Sequence, residues 1–163
     1  AMTWIQGKGI HVFHALADLL PKDCQIVLAG DDSQVDQKHP KIKYLGTVKD
    51  IDMLAKLYAM ADVFVNPTIQ ETFGKTTAEA MACGTPVIAF HGTATPELVG
   101  KDGSCGYLVD ENDARQYCER ILQIITQNKN AFAKAARSRA EKLFSKDRNI
   151  QQYCDIYEEL LKL

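Results

Sequence analysis

Residues 66–98 read NPTIQETFGKTTAEAMACGTPVIAFHGTATPEL: a loop carrying an acid, a short helix and a buried strand in direct succession. Phe73-Gly74-Lys75-Thr76 leads into the helix, Cys83-Gly84 ends it, and Thr85-Pro86 turn the chain into the apolar run 87–90. Glu71 stands in the loop and Glu79 lies inside the helix. A helix start presents unpaired backbone N–H donors and a partial positive charge, a ready seat for phosphate. Carboxylates beside it can hold sugar or ribose hydroxyls, as acidic residues do in dinucleotide sites. The stretch therefore suits a phosphorylated sugar compound. Glu79 also has a structural reading, because Thr76-x-x-Glu79 is spaced as a capping box, whose glutamate reaches back to the N-cap N–H.

Outward from this stretch, helix and strand alternate. Ile10, Phe13, Leu16, Ala17 and Leu20 recur at helical spacing, with Pro21 as a stop. Residues 24–29 (CQIVLA) form an apolar run closed by Gly30-Asp31-Asp32, and residues 42–45 form another closed by Gly46. Residues 51–60 have helical period with Asp50 as N-cap, and residues 62–66 give a third strand. Residues 87–90 make the fourth, and residues 106–109 a short edge strand.

Apolar strands separated by helices predict an α/β chain whose parallel sheet is covered on both faces. Right-handed crossovers make it a Rossmann-like, doubly wound layer. Ligands in such sheets bind beyond the C-terminal strand ends. The turns at Gly30, Gly46 and Pro67 lie on that edge, as does Glu71. Three further helical patterns, 114–127, 130–143 and 150–161, have no strand between them and are expected to pack on the flank of the sheet.

Length and composition narrow the class. A chain of 163 residues, 46% hydrophobic and 25% charged, suits a single globular domain, taken as 1–163. A net charge of −2 gives no general attraction to nucleic acid or membrane. No apolar run has bilayer length, and no signal-peptide pattern opens the chain. The five cysteines are scattered without a C-x-x-C pair, so they read as reduced, mostly packed thiols and point to the cytoplasm. His11 and His14 share a helix face without a third ligand, so no metal site is expected and the histidines read as surface or partly packed groups. Gly7-Lys8-Gly9 is not a dinucleotide fingerprint, because Val12 occupies the third glycine position. Ala1-Met2 reads as a tag remnant before a start codon, and hence as the head of an excised domain.

The stretch closely resembles the donor-site signature of retaining glycosyltransferases of the GT-B fold, the large family of bacterial glycogen synthases and mannosyl- and glucosyltransferases. Its form is roughly E-G-F-G-x-x-x-x-E-A-M-A-x-G-x-P-V-I-A. Glu71, Phe73, Gly74, Glu79, Ala80, Met81, Ala82, Gly84, Pro86, Val87, Ile88 and Ala89 match in register. The signature falls in the C-terminal half of the family's fold, so the resemblance implies a nucleotide-sugar-binding domain whose N-terminal acceptor domain lies outside this sequence. It also implies that the last helix crosses to that partner domain.

By the same resemblance Glu79 binds the donor ribose, and Glu71 lies near the transferred sugar, where a carboxylate stabilises charge growing at the anomeric carbon. Backbone N–H groups of Gly74, Lys75, Thr76 and Thr77 would meet the diphosphate and sugar, with Phe73 either lining the site or plugging the loop into the core. Lys8, in a K-G pair, would stabilise the departing phosphate. Gly46, Thr47 and Val48 match the loop near the nucleobase. Thr72 replaces a usual glycine and Lys75 a usual apolar residue, both beside the sugar pocket. No arginine stands among residues 1–7 where the family places one, which implies weaker phosphate binding. Residues 93–97 resemble a family loop written G-G-x-x-E only in part, and Glu97 is given no role.

The resemblance implies a UDP- or GDP-linked sugar as donor substrate, no metal or other cofactor, and no turnover by the domain alone. Family habit allows a parent that works at the inner face of the membrane. Two other readings are a GT-B nucleotide-sugar epimerase and a non-catalytic interaction domain of the same fold. The second should have lost Glu71, Gly74 or Glu79, and all three are present.

Overall fold

The computed structural model describes residues 3–110 and 113–162. After a 3₁₀ turn (Gln6–Lys8) come α1 (Ile10–Leu19), β1 (Ile26–Leu28), β2 (Ile42–Tyr44), α2 (Ile51–Met60), β3 (Phe64–Asn66) and α3 (Lys75–Ala82). They are followed by β4 (Val87–Phe90), α4 (Thr95–Val99), β5 (Gly106–Val109), α5 (Ala114–Thr126), α6 (Lys129–Phe144) and α7 (Lys146–Leu160). Every strand pairing is parallel: β1 with β2, and β3, β4 and β5 side by side in that order. The expected parallel α/β fold is present. The short helix α4 is an element that the sequence pattern does not reveal.

The period of two along each strand divides the apolar residues between two cores. Val65, Ile88 and Val109 join α1 and α5, through Leu16, Tyr117 and Ile124, on one face of the β3–β5 sheet. Phe64, Val87, Ala89 and Leu108 join Met81 of α3 and Ala136 and Ala140 of α6 on the other. Val87, Ile88 and Ala89 are all 0% exposed, because β4 is flanked by strands and covered on both faces. Burying one such Val or Ile side chain stabilises the fold by roughly 1.5–3 kcal/mol. Alanines on α6 let that helix lie close to α3 (Ala136 is 0% exposed), and Arg139 donates from Nε to the carbonyl of Leu98 (2.6 Å), tying α6 to the end of α4.

Two places depart from the sequence-based expectation. Leu28 and Ile42 of the β1–β2 ladder face the first core, but Val27, paired with Lys43, is 40% exposed. The crossover from Ala29 to Lys41 contains no helix, so among the described residues this connection lays none over the outer face there, which stays partly exposed. The second departure is α7, which does not flank the sheet. None of its residues is buried, whereas α5 and α6 do pack as expected. Ile150, Tyr153, Tyr157 and Leu160 recur at helical spacing on it, and each is more than half exposed. The helix also starts earlier than its apolar pattern, because the Ser145 hydroxyl accepts the N–H of Arg148 (3.4 Å) as an N-cap. All five cysteines are free thiols; Cys105 is buried and Cys154 exposed. No helix among the described residues is long and apolar enough to cross a membrane.

Candidate functional site

Three contacts gather the C-terminal strand ends on one edge. Gly30 N–H donates to the carbonyl of Gly46 (2.8 Å), joining the ends of β1 and β2. Trp4 N–H donates to Asp31 just past β1 (2.8 Å), which brings in the segment before α1. Gly9, at the head of that helix, packs on Pro67, the residue after β3. A Cβ on Gly9 would stand 2.8 Å from Pro67 Cβ, and its φ of 77° is left-handed, so glycine alone suits the position. Lys8, half-buried, is thereby held beside the β3–α3 connection, with its N–H donating to Ile5 (3.0 Å).

The start of α3 is shaped from β3. Asn66 closes an apolar strand yet is only 5% exposed. Its Nδ2 donates to Thr77 Oγ1 (3.0 Å), and its Oδ1 accepts the N–H of Thr68 (3.2 Å). One amide side chain therefore fixes both the turn after the strand and the first turn of the helix. The N-cap is Gly74, at φ 84° and with no side-chain cap, so the first-turn amides of Lys75, Thr76 and Thr77 run out of the helix end without a capping side chain. Glu71 lies across this end: its Cγ would be 3.2 Å from a Cβ built on Gly74.

The capping-box reading of Thr76 and Glu79 does not hold. Thr76 is the second residue of α3, not its cap, so Glu79 sits too far along to reach back. Its Oε2 instead accepts a hydrogen bond from the Tyr58 hydroxyl on α2 (3.1 Å). Its Oε1 lies 3.8 Å from Lys75 Nζ, a loose pair because the lysine side chain is 84% exposed. Burial, and then the Glu79 carboxylate, push the Tyr58 phenol well above the usual tyrosine range, so it remains a neutral donor.

Glu71 is fixed through its main chain. Its N–H donates to Thr93 Oγ1 (2.8 Å), and that hydroxyl donates back to the Glu71 carbonyl (2.5 Å). Thr93 is steadied in turn by buried Thr95, whose hydroxyl lies 2.5 Å from the Phe90 carbonyl and 2.9 Å from that of Gly92. Phe73 does not plug the core. It is 46% exposed and meets Phe144 edge-on at 5.7 Å, tying the loop to the end of α6.

Gly46, Thr47 and Val48 share the edge at the end of β2, but among the described residues no hydrogen bond joins them to Glu71 or Glu79. The sequence pattern did not single out Tyr58, Asn66, Thr93 or Thr95. A polar residue closing the DVFVN strand is the signal for Asn66, and the partial loop resemblance at residues 93–97 covers both threonines without giving either a role; Tyr58 carries no signal.

No group of three potential ligands for a metal ion occurs among the described residues. Three histidines have partners elsewhere: His14 with Tyr44 (3.0 Å), His39 with Asp18 (3.2 Å) and His91 with Asp110 (2.6 Å). Two open hollows, of about 370 and 410 Å³, line other surfaces; neither includes Glu71, Gly74 or Glu79. The edge itself is an open shelf: an uncapped helix end, two carboxylates and a lysine segment.

The chain has counterparts among known proteins. The family model described as "Glycosyl transferases group 1" matches residues 1–127. The chain is 38% identical over 120 residues to the O-antigen chain mannosyltransferase B of Escherichia coli, covering 73% of this chain and 30% of that protein. It is 29% identical to the MMP α-(1→4)-mannosyltransferase of Mycolicibacterium hassiacum, covering 94% of this chain and 40% of that one. Among solved structures, Anabaena HepE in complex with UDP superposes with a TM-score of 0.82 at 27% identity, over 98% of this chain and 46% of that chain. The C-terminal domain of LpcC from Francisella tularensis has the same fold, with a TM-score of 0.77 at 21% identity, over 90% of this chain and 84% of that chain. The chain thus spans less than half the length of HepE and of the two mannosyltransferases. By sequence and by fold, the chain belongs to the glycosyl transferases group 1 family.

Proposed function

We propose that this chain is the donor-binding half of a retaining hexosyltransferase, and that a nucleoside-diphosphate sugar sits on the shelf at the start of α3. One observation carries the reading: Glu71 and Glu79 flank an uncapped helix N-terminus on the sheet edge that also holds Lys8. Complexes of HepE with UDP and with UDP-glucose support UDP as the first donor base to try. The first-turn amides of α3 receive the diphosphate, which the helix dipole favours. Lys8 stabilises the phosphate as it leaves. Glu79 holds the ribose hydroxyls, and Glu71 faces the sugar, where its charge grows in value as the anomeric carbon becomes cationic. Gly46, Thr47 and Val48 border the base.

The acceptor pocket belongs to an N-terminal half of the parent, which this sequence does not contain. That half also covers the apolar face of α7. In this reading the chain alone binds nucleotide weakly and transfers no sugar.

Ligand-observed NMR of the 163-residue chain against UDP, GDP and ADP tests the reading. One nucleotide should give saturation transfer that disappears in Glu79→Ala. Sugar transfer by the chain alone would refute the division of labour. If the full-length parent also ignored every nucleotide, a non-catalytic interaction domain would replace the enzyme reading.

A further inference from the structure

We propose that Tyr58 is the positioning residue for Glu79, and that it sets how strongly the site favours a ribonucleotide over its 2′-deoxy counterpart. The inference rests on Glu79 as the ribose ligand. A glutamate on a helix surface has several rotamers open to it, and the Glu79 side chain is 35% exposed. Lys75 gives it little restraint at 3.8 Å. Tyr58 does, because the tyrosine is itself immobile. The residue is 9% exposed, and its ring stands edge-on to Phe64 at 5.6 Å. Its main-chain carbonyl accepts from buried Thr85 Oγ1 (2.6 Å).

The phenol occupies Oε2 and leaves Oε1 for a ligand. A neutral donor also holds the carboxylate without cancelling its charge. A ribose hydroxyl then meets a full anion, and hydrogen bonds to ionised acceptors are the stronger ones. A lysine in place of the phenol would pin the carboxylate while drawing off its charge. The hydrogen bond could instead serve only to tie α2 to α3, in which case its loss would act equally on all ligands.

The test compares Kd values of the 163-residue chain for UDP and 2′-deoxy-UDP, with GDP and 2′-deoxy-GDP as a second pair. The proteins are the unaltered chain, Tyr58→Phe, Glu79→Gln and the double variant. The unaltered chain should prefer the ribonucleotide, and Glu79→Gln should abolish that preference. Tyr58→Phe should weaken ribonucleotide binding about three- to tenfold and leave 2′-deoxynucleotide binding within about twofold, the size expected from the net worth of one ordinary hydrogen bond. The double variant should match Glu79→Gln.

Equal weakening for both nucleotides, or an unchanged preference in Tyr58→Phe, would overturn the role of Tyr58 while leaving Glu79 as the ribose ligand. No preference in the unaltered chain, or a preference that survives Glu79→Gln, would overturn the ribose reading and this inference with it. If Tyr58→Phe melts below the assay temperature, Tyr58→Leu deletes the same donor with different packing and must show the same loss of preference.

Discussion

Thr93 grips the main chain of Glu71 on both sides, so the direction of the carboxylate depends on a residue from another loop. Thr93→Val keeps the shape and removes both hydrogen bonds. In the full-length parent it should lower kcat on the order of tenfold with little change in nucleotide affinity, since small misplacements of a reacting group are costly; steady-state kinetics checks this. His14 offers a second residue-scale outcome. Burial, then His39, and to a lesser degree His11 lower its pKa against the opposing pull of Asp18. Above about pH 6.5 the imidazole is neutral in both folded and unfolded chains and costs nothing. As pH falls below that, the unfolded chain takes the proton first and stability drops. Denaturant melts between pH 7 and 5 should show that fall, and His14→Gln should flatten it. At this scale the sequence exposes the two glutamates and the glycine between them, because they fall at fixed spacing within one motif. It conceals Tyr58 and shows Thr93 only as part of the 93–97 loop, because the contacts of both arise when separate segments meet.

Among the elements, the turn at Gly9 leaves no room for a side chain. Gly9→Ala combines a left-handed backbone with overlap against Pro67, a cost of roughly 2–4 kcal/mol. For a chain of this size that corresponds to a loss of roughly 5–15 °C in Tm, readable by circular dichroism. Most strands and helices are legible from period and punctuation: α2 begins at Asp50, whose side chain accepts from Asp52 and Met53 as an N-cap. The misreadings have local causes. The Thr76–Glu79 spacing imitates a capping box, but Gly74 starts the helix sooner. The Ala29–Lys41 crossover holds three aspartates with Gly30, Ser33 and Pro40, residue types that favour turns, and it crosses without a helix.

At the scale of the whole molecule, the exposed face of α7 and the open shelf at α3 are the two surfaces that the proposed reading gives to an N-terminal half of the parent. A folded domain seldom presents a stripe such as Ile150, Tyr153, Tyr157 and Leu160 on one helix unless something covers it. The resemblance read from residues 66–98 implies such a partner for the last helix; helical periodicity alone does not, because an amphipathic stripe looks the same whether it faces a sheet or another domain.

The bare outer face of β1 and β2 gives the fold an uneven resistance to opening. A two-strand ladder with one wet side breaks more cheaply than a strand paired on both edges and covered on both faces. In native-state hydrogen exchange the amide of Leu45, bonded to the Leu28 carbonyl at 2.9 Å, should therefore take up deuterium well before that of Ile88. Denaturant added below the main transition should widen that gap. The molecule would then loosen at its β1–β2 corner while the end of β3 and the start of α3 keep their shape.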